Sequence, residues 1–310
     1  MEFHHVSVMA EEVLKILQVK PNGIYLDCTL GGGGHSLRIG KLLSSEGFLI
    51  GIDRDADALS AAEKILSNLD CRVELVHGNF FDLDKILENL RVEKIDGVIF
   101  DLGVSSHQID TAERGFSYIQ NSKLDMRMDR SQKLSAFDVI NGYSEENLVK
   151  IFRDYGEERF SKKIAKSICE SRKNFPIETT GELVEIIEKN IPHTKNGGHP
   201  AKRIFQAVRI EVNGELEILE TSITSAVKHL KVGGKIAVIT FHSLEDRLVK
   251  NTFKNLSAGC ICPKNFPVCV CGHKPEIKIL GKALTASQKE LNKNSRSKSA
   301  KLRAAEKVES

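Results

Sequence analysis

Gly31, Gly32, Gly33 and Gly34 follow Asp27-Cys28-Thr29-Leu30 and precede His35, and this stretch of the 310-residue chain points most directly to chemistry. A run without side chains lets a ligand approach the backbone and the amides of a following helix. Asp53 lies 20 residues after Gly33, at the end of the apolar run Phe48-Leu49-Ile50-Gly51-Ile52. An acid at that place, on the second strand of a βαβ unit, suits the hydroxyls of a ribose. Nicotinamide enzymes and methyltransferases that use S-adenosylmethionine (SAM) share both features. Asp27 separates them. A carboxylate four residues before Gly31 would repel a pyrophosphate but suit an amino or sulfonium group, so the sequence favours SAM.

Two more positions carry polar chemistry at apolar strand ends. Asp101 closes the run Ile95–Phe100 and begins Asp101-Leu102-Gly103-Val104. The end of a fourth strand is where a methyl acceptor would meet its donor, so Asp101 is an active-site candidate. Phe80 follows the strand-like run Val73–His77, and such a strand end opens on the ligand crevice of a doubly wound sheet. Phe80 is placed to lie against an adenine, with Asn79 or Asp82 near its amino group. Phe81 is the better core candidate. His242, after the apolar run Lys235–Phe241, is a further candidate for substrate contact, and Ser243 is expected to cap the helix that follows.

These residues need a parallel sheet with helices on its faces. Apolar runs alternate with helical patterns from residue 6 to Asp101, as in βαβ units. Ala56–Leu66 has helical spacing, and Pro21-Asn22-Gly23 breaks the chain before the first strand. From about Ile109 to Ile210 strand signals stop. Ser144 is placed to cap a helix carrying Leu148, Ile151 and Phe152, and Thr179 with Glu182 forms a capping-box pattern before a helix that Pro192 ends. Lys202, Gln206, Arg209 and Asn213 fall on one face of a helix opening near Pro200, a polar stripe that could bind a nucleic-acid backbone. Ile277–Leu280 and Lys301–Ala305 are candidates for the last two strands. The expected division is a core from 1–108 and 211–310, interrupted by a helical insert over 109–210.

Composition fits a soluble globular protein, with 41% hydrophobic and 28% charged residues and a net charge of +3. No apolar run approaches the ~18 residues of a membrane span. The first residues lack a signal peptide's pattern, and isolated cysteines such as Cys28 and Cys71 do not resemble a disulfide framework, so a reducing cytoplasm is expected. Charge gathers at one end: Lys274–Ser310 holds ten Lys/Arg against four Glu. That end reads as a basic tail, solvated or touching phosphates. Cys260-Ile261-Cys262 and Cys269-Val270-Cys271 suit a tetrahedral zinc, yet their C-x-C pairs are not the usual C-x₂-C, which favours free thiols.

Taken together, Asp27–Ser36, Asp101–Ser106, Glu113-Arg114-Gly115-Phe116-Ser117, Leu124-Asp125-Met126-Arg127-Met128, Tyr155–Phe160 and Phe241–Asp246 resemble the bacterial RsmH (MraW) family, from His5 to about Lys307. The resemblance implies an α/β class I SAM-dependent methyltransferase fold, a Rossmann-like sheet with an inserted all-helical domain. It also implies methyl transfer from SAM to the exocyclic amino group of a cytidine in the decoding region of 16S rRNA. Within the family, Gly33, Gly34, His35, Asp53, Phe80, Asp101 and Gln108 would hold the cofactor and the insert would recognise rRNA, while the cysteine cluster is not shared by all members and has no secure metal role. Asp101-Leu102-Gly103-Val104 replaces the Asp/Asn-Pro-Pro-aromatic motif of many amino-methylating enzymes, so Asp101 or a nearby carbonyl is the expected acceptor of the N–H bond. Phe116 or Tyr118 would pack on the target base. Outside the family, the residues admit a nicotinamide oxidoreductase, disfavoured by Asp27 and by the lack of a Tyr-Lys or His-Asp arrangement, or a non-catalytic RNA-binding assembly factor.

Overall fold

A computed structural model describes residues 7–191, 198–259, 262, 268, 271–272 and 274–309. The chain divides into two compact units, Met1–Gly103 with Leu216–Ser310, and Val104–Glu215.

In the first unit, helix α1 (Ala10–Leu17) leads into β1 (Ile24–Asp27), α2 (Gly34–Gly40), β2 (Phe48–Asp53), α3 (Ala56–Leu66), β3 (Arg72–His77), α4 (Leu83–Asn89) and β4 (Ile95–Asp101). The second unit is helical: α5 (Ser106–Asp110), α6 (Ala136–Gly142), α7 (Glu145–Asp154), α8 (Ser161–Ser171), α9 (Thr180–Asn190) and α10 (Ala201–Asn213). The chain returns to the first unit through α11 (Leu219–His229), β5 (Leu230–Thr240), α12 (Ser243–Leu256), β6 (Ile277–Ile279), β7 (Leu284–Thr285), α13 (Gln288–Lys293) and β8 (Lys301–Lys307).

The sheet runs β3-β2-β1-β4-β5-β8-β6, with β7 beside β8. The first five of these are parallel, whereas β8 is antiparallel to β5 and β6. Helices cover both faces, so the central strands are apolar on both sides, and the period of two decides which face each residue serves. Val98 and Phe100 join one core with Leu26, Ile50, Ile223 and Phe253, while Ile99 joins the other with Tyr25, Val13 and Leu302. A fully buried Phe such as Phe100 contributes about 1.5–3 kcal/mol over its exposed state.

The second unit has its own core, built on Leu148, Ile151, Phe152, Ile164 and Ile168. The Ser144 hydroxyl accepts from the Asn147 amide, and Thr179 with Glu182 completes a reciprocal capping box, as the sequence predicts. Leu124, Met126 and Met128 point into that core, and their backbone is clamped by the buried Asn213, which donates to the Met126 carbonyl and accepts from the Met128 amide.

Several expectations need correction. Asn213 is only 6% exposed, Arg209 forms a bidentate pair with Glu215, and Gln206 donates to the Tyr155 carbonyl. The polar stripe on α10 therefore faces protein over most of its length, with only Lys202 fully open. Phe116 is buried in the helical core and is not free to meet a base, while the half-buried Tyr118 has one ring face stacked on His199 at 4.7 Å. The cap of α12 is His242, not Ser243: its Nδ1 accepts from the Glu245 amide, while the Glu245 carboxylate accepts from the Phe241 and His242 amides. The basic end is no loose tail. Lys301 and Arg303 grip Asp246, Lys307 grips Glu276, and all three lie on β8 inside the sheet. Asp246 sits below the usual carboxylate range: burial pushes it up, and the bonds from Arg303 and Lys301 outweigh that. Cys260 and Cys269 and the helix-ending Pro192 lie outside the described residues.

Candidate active site

Parallel strands carry their carboxyl ends to one edge of a sheet, and β1, β2 and β4 each end there in an aspartate: Asp27, Asp53 and Asp101. The glycine run turns at this edge. Gly31 and Gly33 both take left-handed backbone, with φ of 50° and 78°, which favours glycine over any residue with a Cβ. At Gly33 a Cβ would also press on Ala62 at 3.2 Å, and at Gly34 it would run into the Ser7 hydroxyl. A Cβ added at Gly32 would meet nothing within 4 Å. The turn thus has an open glycine followed by two packed ones.

Asp53 fixes the loop to the neighbouring strand. Its two carboxylate oxygens accept from the Gly31 amide at 2.7 Å and the Asp55 amide at 2.9 Å. Burial pushes its carboxyl up, against the pull of those two amides. Each oxygen retains a second lone pair, so the group keeps capacity for a diol.

Asp27 plays a different part from the one its position suggests. It is 1% exposed, and its oxygens accept from the Thr29 amide at 3.1 Å and the Ser36 hydroxyl at 2.8 Å. It braces the loop from beneath and does not present its charge to a ligand. Burial, opposed by His35, Ser36 and the Thr29 amide, pushes its carboxyl up to about 6.

Asp101 and His35 meet at the same edge. His35 Nε2 lies 3.5 Å from Asp101 Oδ2, and neither this nitrogen nor Asp101 Oδ1 has a hydrogen-bond partner. The Asp101 side chain is 20% exposed, so the pair is shielded yet reachable. Buried polar atoms are nearly always satisfied, and two orphans side by side mark a place where a ligand completes the bonding. This His-Asp pairing, 66 positions apart, is invisible in the sequence. Sequence reasoning also missed Thr29, whose hydroxyl accepts from the Asp101 amide at 2.6 Å.

Phe80 lies past the end of β3, half-buried against the core, with its ring edge-on to Phe100 at 5.6 Å. Phe81, the expected core residue, is instead 52% exposed. Asn79 accepts from the Phe81 amide and is occupied as a turn cap. Gln108 belongs to the Val104–Glu215 unit, is 4% exposed, and forms the reciprocal capping box of α5 with Ser105. The structure thus gathers Gly33, Gly34, His35, Asp53 and Asp101 at one sheet edge, sets Phe80 at the neighbouring strand end, and keeps Gln108 in the helical unit.

A parallel sheet in the order 3-2-1-4-5 closed by an antiparallel strand, with a glycine turn after β1 and an acid ending β2, defines a class I SAM-dependent methyltransferase. The open Gly32, the diol-competent Asp53 and the orphaned His35–Asp101 pair fit that cofactor. Residues 2–308 match the model of the MraW methylase family, and the chain belongs to that family. It is 55% identical to "Ribosomal RNA small subunit methyltransferase H" of Clostridium botulinum (strain Kyoto / Type A2), over 99% of this chain and 100% of that one. The protein of the same name in Clostridioides difficile (strain 630) is 54% identical, again over 99% and 100%. Among solved structures, an rRNA methylase from Streptococcus thermophilus aligns over 97% of this chain and 94% of its own at 12% identity, with a TM-score of 0.42.

Proposed function

We propose that this chain methylates the exocyclic N4 of one cytidine in the decoding region of 16S rRNA, within the small ribosomal subunit and in the cytoplasm. Membership of the MraW methylase family supports the reaction class, and the names of its relatives support small-subunit rRNA as substrate. No helix among the described residues is long and apolar enough to cross a membrane. The observation that carries the chemical reading is the partnerless Asp101 Oδ1 at the end of β4.

SAM, when bound, supplies an activated methyl on a sulfonium. Gly33 and Gly34 would leave the backbone open to it, Asp53 would hold its ribose, Phe80 would lie against its adenine, and His35 and Asp101 would complete this edge of the pocket. A cytosine amino group is a poor nucleophile because its lone pair is delocalised into the ring. Asp101 accepts a hydrogen bond from that amino group, which favours the pyramidal nitrogen needed for attack and fixes its direction. The attacked nitrogen becomes cationic and acidic once methylated and gives its extra proton to the carboxylate or to water, so a positioned carboxylate suffices and a strong base is not needed. The target base must leave its stack to reach this edge, and the Val104–Glu215 unit would recognise the rRNA.

The test is transfer of labelled methyl from SAM to 16S rRNA and to 30S particles from cells lacking the protein, followed by nucleoside analysis. Label in N4-methylcytidine from one decoding-region site is the expected result. Label in another nucleoside, or none despite SAM binding, would overturn the reading.

A further inference from the structure

The cations of β8 are paired with Asp246 and Glu276, and a further basic segment stands just before that strand. Residues 281–300 contain Lys282, Lys289, Lys293, Arg296 and Lys298 against a single acid, Glu290. All five cations are exposed. Lys289, Lys293 and Lys298 have no acidic partner among the described residues, in contrast to Lys301, Arg303 and Lys307 on the strand that follows. The segment is nonetheless built. Ser287 caps α13, Asn294 accepts from the Arg296 amide, and Ser297 and Ala300 are buried.

Its place in the sheet is set by register. β7 enters it at Thr285 and β8 leaves it at Lys301, and both pair at the level of Thr240, the last residue of β5. That is the carboxyl edge. Ile239 pairs with Asp101 on one side and with Leu302 on the other, so the start of β8 lies two strand spacings, about 10 Å, from Asp101. A second tie leads to the glycine turn. The carboxylate of Glu290 accepts from the Met9 amide at 3.1 Å, and two residues earlier Ser7 packs on Gly34. Glu290 is thereby used in anchoring the segment and leaves its lysines unbalanced.

We propose that Lys289, Lys293 and Lys298 form a phosphate-backbone contact that holds the rRNA strand beside the catalytic edge. Lys289 and Lys293 stand one helical turn apart on α13, and Lys298 follows after the 294–297 turn, so the charges are spread along an ordered segment as a strand of phosphates requires. Exposed ammonium groups without acidic partners suit a polyanion, and the serines and asparagines between them add neutral donors for phosphate oxygens. This rests on the rRNA reading above and adds where the polyanion is gripped.

The experiment compares the wild-type protein with K289Q/K293Q/K298Q and K289R/K293R/K298R, measuring affinity for 16S rRNA over a salt series, SAM affinity, and methyl-transfer kinetics. The glutamine triple is expected to bind rRNA roughly 50-fold more weakly at about 0.15 M salt, and the slope of log K against log salt to fall by about 2, as three lost single-strand phosphate contacts imply. Its KM for rRNA rises while kcat and SAM affinity hold, and the arginine triple keeps wild-type behaviour. Wild-type affinity and slope in the glutamine triple, or an equal loss in the arginine triple, would overturn the proposal. A wild-type protein that binds rRNA with this slope difference yet never methylates it would sink the proposed reaction and leave the contact standing.

Discussion

The amide of Asp101 donates to the hydroxyl of Thr29 at 2.6 Å, joining the last residue of β4 to the turn after β1. The same threonine's amide donates to Asp27, so one residue links the brace beneath the glycine turn to the carboxylate at the mouth of the site.

Replacing that hydroxyl tests the link. Thr29→Val leaves the Asp101 amide without its acceptor, which costs about 1–3 kcal/mol of stability and loosens the carboxylate. Thermal unfolding and steady-state kinetics should show a lower Tm and a lower kcat. A variant with wild-type kcat would show that Asp101 needs no such anchor.

Asp101 itself is the sharper target. Asp101→Asn keeps the shape and removes the charge that receives the amino N–H. At saturating SAM, single-turnover methylation is expected to slow by roughly 10²–10³-fold. Full turnover with unchanged SAM binding would move the role of acceptor to a neighbouring carbonyl.

The glycine turn makes a stability claim as well as a binding one. Gly33→Ala forces an L-residue to φ 78° and presses its Cβ on Ala62. The left-handed conformation costs about 1–2 kcal/mol. Calorimetry should report weaker SAM binding alongside the lower Tm, because the loop must shift to relieve the contact.

Asp27 predicts a pH signature. Its carboxyl is raised from 3.8 to about 6, chiefly by burial, so the folded protein holds a proton that the unfolded chain releases between those values. Stability from this group is present below the unfolded value and is lost as pH climbs through about 6, a change of about 3 kcal/mol. Asn at this position cannot titrate. Denaturant unfolding of wild type and Asp27→Asn between pH 4 and 7 should therefore give a stability difference that moves against the wild type as pH rises. A difference that stays flat across that range would show the carboxylate to be ionised throughout.

Local pattern carried much of the architecture. The limits of α3 and β4, the Ser144 cap and the Thr179–Glu182 box follow from residue type and spacing over a few positions, and the structure places them where the sequence does. Asp53 falls at the end of β2 because an apolar run ended in an acid. Other features depend on which strands become neighbours, and no local period encodes that. The fold alone decided that β8 slots between β5 and β6, converting a basic end into a paired strand plus an unbalanced segment. It alone set Phe80 edge-on to Phe100 and turned Phe81 outward, and it turned Asn213 inward to clamp Met126 and Met128. The Thr29–Asp101 bond and the His35–Asp101 pair span 72 and 66 positions and exist because β1 and β4 are adjacent in the sheet. Sequence sets each residue's local conformation and its polarity. The partner of a buried polar group is fixed only when the strands are laid side by side.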